Sequence, residues 1–165
     1  LDEARANYEE ALGIQRRVNG EKHPDVAAAF SNIAGVLVKQ GQHDEALKMF
    51  SKALKIRRRV LGEDHEHVAL SLENIGVVYH EQGKYDEALE MHEEALAAYT
   101  RALGIDNPCS AEMLCNIARY KKISGDISGA VERARKAVRI YSKLGMNNKD
   151  SQRAADLLRD LEGGA

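Results

Sequence analysis

Three asparagines, Asn32, Asn74 and Asn116, recur 42 residues apart. A primary amide offers two N–H donors and a carbonyl acceptor, so it can pair with both the N–H and the C=O of an extended main chain. Asparagine is a mediocre helix former, yet each of the three falls inside a helical pattern. Stacked along one surface, they would form a ladder that holds peptide backbone without reading side chains. The alternative is that each amide bonds within its own scaffold, to a neighbouring helix or loop. Side chains on the same helical stripe would then set specificity. These are Ser31 and Lys39 in the first unit, Leu70, Glu73, Val77 and Glu81 in the second, and Arg119 and Lys122 in the third. Ala28, Gly35, Glu112 and Cys115 share that stripe, and its charges have a plain solvated-face reading as well.

Other reactive types do not assemble into sites. His65 and His67 lie two apart, and His23 occupies the position matching His65. No further ligands converge on them, so the sequence points to loop and capping roles and to no metal site. Cys109 and Cys115 are six apart, which is neither a zinc spacing nor a disulfide framework. A reducing compartment, and hence a cytoplasmic location, is the expectation. Cys109 reads as a small residue of a capping region and Cys115 as a groove residue. The pattern contains no nucleophile setting, phosphate loop or paired-carboxylate constellation, so neither catalysis nor a cofactor is expected. The formal net charge of −2 leaves no footprint for nucleic acid or an anionic membrane. Arg16-Arg17 and Arg57-Arg58-Arg59 are the strongest basic runs, and both fall near helix C-termini, where cations complement the dipole. No signal peptide or membrane span is evident.

The asparagines belong to a larger repeat. Gly41, Asp44-Glu45-Ala46-Leu47 and Met49 return as Gly83, Asp86-Glu87-Ala88-Leu89 and Met91. About 18 of the 42 positions in 25–66 recur in 67–108, far beyond chance. A third copy keeps Asn116-Ile117, Gly125, Ala130 and Ala137, and a half copy precedes the first. The units are 1–24 (a second helix and connection), 25–66, 67–108 and a divergent 109–148, with a capping helix at 149–162. The half unit, and the lack of an initiator Met, read as a piece of a longer chain.

With two prolines in 165 residues and no hairpin signals, the chain reads as all-α. Helices are expected at 2–18, 25–40, 44–60, 67–82, 86–102, 109–124, 127–143 and 150–162, punctuated by Gly20, Gly41, Gly62, Gly83 and Asn107-Pro108. Buried stripes should carry Ala4, Tyr8, Ala11, Leu12 and Val18, then Val26, Phe30, Ile33, Ala34 and Leu37, then Ala46, Leu47, Phe50, Ala53, Leu54 and Ile56. The second unit repeats this with Val68, Leu72, Ile75, Gly76 and Tyr79, then Ala88, Leu89, Ala95 and Leu96. Small residues at 34, 76 and 118 face Ala46, Ala88 and Ala130, allowing close helix approach. Ala53, Ala95 and Ala137 do the same towards the next unit. Ala154, Leu157, Leu158 and Leu161 give the last helix one apolar face.

In the middle unit Leu72, Ile75, Gly76, Tyr79, Ala88, His92 and Ala95 together resemble the tetratricopeptide repeat signature. The 42-residue period, with Val-Leu-Gly-Glu-Asp-His, Asn-Ile-Gly and Gly-Lys-Tyr-Asp-Glu-Ala-Leu, is similar to the repeats of kinesin light chains and nephrocystin-type proteins. Lys121 and Ala134 depart from the pattern. The resemblance implies a right-handed superhelical solenoid that binds an extended protein or peptide segment in its concave groove, as a cargo adaptor does, with asparagines at these positions holding the peptide. A structural or self-associating array inside a larger multidomain regulator or enzyme is the alternative, with end-to-end stacking through the half unit.

Overall fold

The computed structural model describes residues 1–163, the Ala4 side chain excepted. Ala4's expected place on the first apolar stripe therefore lies outside the described residues. Eight helices follow one another: α1 (Asp2–Asn19), α2 (Pro24–Lys39), α3 (His43–Leu61), α4 (Glu66–Glu81), α5 (Tyr85–Leu103), α6 (Pro108–Ile123), α7 (Ile127–Lys143) and α8 (Lys149–Gly163). They form a solenoid of antiparallel pairs, and the described residues contain no strand.

Local chemistry sets the ends of these helices. The Nδ1 atoms of His23 and His65 accept from the backbone N–H groups of Asp25 and His67 at 3.2 and 3.1 Å. Asn107 caps α6 in the same way, accepting from Ser110 N–H at 2.8 Å. These histidines are caps, as their place before each first helix suggests. Between the helices of a pair the chain turns through Gly41, Gly83 and Gly125, at φ 74°, 73° and 86°. The N–H after each glycine reaches back to the carbonyls of Leu37, Tyr79 and Lys121, all at 2.9 Å, closing the six-residue turn that glycine makes least strained.

Alanine makes the close approach possible. Ala34, Ala46, Ala53, Ala88, Ala95, Ala118, Ala130 and Ala137 are all fully buried. The middle unit has Gly76 where its neighbours have alanine, because a Cβ there would lie 2.8 Å from His92 Nε2. His92 is 1% exposed and stacks on Tyr120 with ring centroids 5.5 Å apart. Among the described residues neither ring nitrogen completes a hydrogen bond. Burial pushes its pKa down to about 4, nearby His80 adds to the shift, and the Glu73 backbone opposes it.

Three expectations are corrected. Tyr8 and Val18 are exposed, at 37% and 75%, because α1 packs chiefly against α2; among the described residues of its stripe Leu12 is buried and Ala11 half-buried. Arg57 is a buried side chain of α3, where a cation complementing the helix C-terminus was expected. It donates to Ser71 Oγ at 2.6 Å, and burial lowers its pKa. Arg58 and Arg59 alone complement the last turn of α3. Lys121, which departs from the repeat pattern as read from the sequence, pairs with Asp126 at 2.8 Å, and the aromatic contact comes from Tyr120 one residue earlier. At the C-terminal end α8 buries Ala154 and Leu161, and its Asp160 and Glu162 pair with Lys122 and Arg135.

His92 gives the fold a specific acid sensitivity. Its pKa is depressed on folding, so the unfolded chain binds the extra proton first. Stability falls as pH drops from about 6.5 to about 4 and then levels off. The full loss is about 3 kcal/mol. Urea denaturation of wild type and His92→Leu across this range should show a steeper wild-type decline. Parallel curves would remove His92 as its source.

Candidate functional site

The three asparagines occupy one register position on α2, α4 and α6, the first helices of the three pairs. Asn32 is exposed, and Asn74 and Asn116 are half-buried. Among the described residues, the Asn32 and Asn74 amides have no hydrogen-bond partner. Asn116 Oδ1 accepts from Arg119 Nη1 at 2.9 Å, one turn along the same helix. None of the three amides ties one helix to another, which is what the scaffold alternative required.

The neighbouring stripe is uneven. Leu70 and Val77 are 38% and 39% exposed, leaving apolar surface open on either side of Asn74. Lys39 and Glu81 are exposed, and His43 Nδ1 approaches the Glu81 carboxylate at 3.5 Å. Ser31 turns its hydroxyl into its own helix, donating to the Ala27 carbonyl at 3.1 Å. Ala28 is exposed and Gly35 half-buried. Lys122 is engaged with Asp160 of α8, while Arg119, which donates to Asn116, is exposed.

Glu73 is held in place. It is half-buried and accepts from the Tyr99 hydroxyl on α5 at 2.7 Å. Desolvation raises its pKa, the Tyr99 bond opposes that, and the charge of Glu112 on α6 adds to it. Glu112 is itself raised, first by desolvation and then by Asp150. Tyr99 was missed in the sequence although its register position, shared with Arg57 and Tyr141, is available for comparison. All three second-helix residues at this position are buried.

Cys115 is not an open groove residue. It is 6% exposed, packed with Ala111, Tyr141 and Ala154, and burial pushes its thiol up to about 11. Beside it lies a hollow of about 50 Å³ lined by Glu112, Asn116 and Arg119, with Asp150 and Arg153 reaching in from α8. The capping helix therefore narrows the stripe at its third unit. Cys109 is half-buried near Tyr99. Among the described residues no group of His, Cys, Asp or Glu is placed to hold a metal ion, and no helix is long and apolar enough to cross a membrane.

The tetratricopeptide repeat model matches residues 1–50, 25–101 and 67–143, which together span most of the chain. The chain belongs to the tetratricopeptide repeat family. Solved structures share its architecture. BtubC (BKLC) from P. vanneervenii superposes with a TM-score of 0.87 at 22% identity, over 98% of this chain and 65% of that one. A kinesin light chain-like protein of Podosopora anserina, with nearly identical TPR-like repeats, gives 0.80 at 22% identity, over 99% of this chain and 79% of its own. The apo form of RapI gives 0.78 at 22% identity, over 95% and 42%. This tetratricopeptide array thus spans 65% or less of BtubC and RapI. No curated protein sequence matches it.

The Tyr99–Glu73 bond can be tested on its own. Removing the hydroxyl in Tyr99→Phe takes away the interaction that lowers the Glu73 pKa. The Glu73 side-chain carboxyl resonance should then titrate at higher pH, with a stability loss of about 1 kcal/mol. An unchanged or lower midpoint would mean that the bond does not operate in solution.

Proposed function

We propose that this tetratricopeptide array is a non-catalytic protein-interaction module that captures an extended peptide along the face carried by α2, α4 and α6. Asn32, Asn74 and Asn116 take the main chain. Leu70 and Val77 contact an apolar side chain beside Asn74, while Glu73, Glu81, Lys39, Arg119 and Lys122 set charge preference at the flanks and Ser31 leaves room beside Asn32. The observation that carries this reading is that the Asn32 and Asn74 amides have no partner of their own, on helices where asparagine brings no folding advantage. Scaffold bonding, the other explanation for their recurrence, finds no cross-helix bond in its support. The likeness to kinesin light chain-like structures suits an adaptor that carries cargo by such capture. Affinity for a single peptide should be micromolar, about −8 kcal/mol, since ordering an extended segment offsets much of the contact energy.

Self-association is the second reading, and one observation favours it. Tyr8, Ile14 and Val18 of α1 are exposed, at 37%, 49% and 75%. A second copy stacked end to end, or a longer regulator's own chain, would cover them.

Peptide-library selection against the chain and against Asn32→Ala/Asn74→Ala separates the two. Enriched peptides should lose at least tenfold in affinity in the variant, with helicity and melting unchanged. Peptides indifferent to both asparagines, with a mass that rises with concentration in light scattering and falls when an N-terminal helix is added, would favour self-association.

A further inference from the structure

A second hollow, independent of the asparagine stripe, opens between α5 and α7, the second helices of adjacent pairs. It measures about 480 Å³, and its floor is Leu96, Ile105, Leu114 and Ile140. Arg133 and Arg139 stand at its edge without an ion-pair or hydrogen-bond partner among the described residues. Lys136 pairs with Glu132 of its own helix at 2.6 Å, and Lys143 pairs with Asp106. Asp106 is the one carboxylate in the lining and is already neutralised in that pair.

The repeat supplies its own comparison. One unit earlier, the corresponding hollow of about 490 Å³ is lined by Ser51, Leu54, Lys55, Arg58, Arg59 and Glu63. There Arg58 pairs with Glu63 at 2.9 Å and also with Glu94 of the next second helix, bridging the junction. In the later junction the positions of Arg58, Glu63 and Glu94 are Thr100, Ile105 and Lys136. The Arg58–Glu94 pair has no counterpart there, although Lys143–Asp106 keeps the place of Arg101–Asp64; an apolar side chain, Ile105, stands where Glu63 was, and a cation, Lys136, stands where the carboxylate Glu94 was. Ile105 is 44% exposed as a result. The helix on that side carries Arg133, Arg135, Lys136, Arg139 and Lys143 against the single acid Glu132.

Apolar floor and unpaired cations together specify one occupant. The geometry points to a docking site for an acidic peptide segment, one that seats a Leu- or Phe-sized side chain on Leu96, Ile105, Leu114 and Ile140 and places flanking carboxylates on Arg133 and Arg139. An apolar anchor in a pocket with charge-complementary edges is a common interface pattern. The opposite-charge edge makes binding weaken as salt rises. The site does not depend on the asparagines, so it stands or falls separately from the groove.

The test is selection of random peptides on phage against the full chain, followed by fluorescence anisotropy of the enriched sequences as fluorescein-labelled synthetic peptides. Asp or Glu flanking Leu, Ile or Phe should be enriched. Binding should fall at least tenfold in Arg133→Glu/Arg139→Glu, with the melting curve preserved. The same loss is expected in Thr100→Arg/Ile105→Glu/Lys136→Glu, which restores the ion pairs of the preceding junction and so keeps the fold. Asn32→Ala/Asn74→Ala should leave binding unchanged. Absence of acidic-apolar enrichment, or peptides indifferent to both charge variants, would overturn the proposal. So would peptides that need the asparagines, or a face that instead binds phosphatidylserine vesicles or a second copy of the chain.

Discussion

The helix contacts from α2 to α7 depend on two backbones approaching at positions that carry only a methyl group or a hydrogen. Ala34 with Ala46, Gly76 with Ala88, and Ala118 with Ala130 are solvent-free within pairs, and Ala53, Ala95 and Ala137 are solvent-free between them. Larger side chains such as Phe30, Leu37, Phe50, Leu72 and Leu114 then fill the space beside each crossing. Adding volume at a crossing forces helices apart along its whole length, and neighbouring crossings must follow. The periodic small residues thus fix the spacing of the first helices, and with it the distance between successive asparagines.

Much of this was legible because the chain states it several times. A glycine repeated at one register position, followed by Asp-Glu-Ala-Leu, marks a helix end and a helix start more firmly than either does once. The helix boundaries fall within a residue or two of those read from spacing. The Asn position was legible for the same reason. The remainder depends on what a residue meets across space. Arg57 reads as part of a basic surface run, and only its place against Ser71 on the following helix reveals a buried guanidinium. Cys115 shares the groove stripe in register, yet α8 and Tyr141 cover it. Tyr8 and Val18 have the right spacing for burial, but what covers a helix face is another helix, not its own pattern.

The two candidate surfaces differ in how the sequence produces them. The asparagine stripe comes from repetition, the same residue kept at one position while its neighbours vary. The hollow between α5 and α7 comes from departure, three positions that change together and dissolve an ion pair present one unit earlier. A repeat array lends itself to both, since each unit has the same backbone and can be altered locally without rebuilding its neighbours. Glu73, held by Tyr99, and Lys122, held by α8, mark where scaffold chemistry intrudes on the stripe.

Both outer helices of the array reach past their immediate neighbour. The strong helix contacts run between consecutive helices, except that α8 also folds back onto α6. That extra contact, with the pairs Lys122–Asp160 and Arg135–Glu162, double-fastens the C-terminal end. At the other end α1 packs on α2, and its Arg5 reaches Glu45 of α3 at 3.7 Å and Gln42 at 3.1 Å. Each outer helix is thus tied to its neighbour through apolar crossings and to the helix beyond through a charged side chain, so load passes along this array by two kinds of contact.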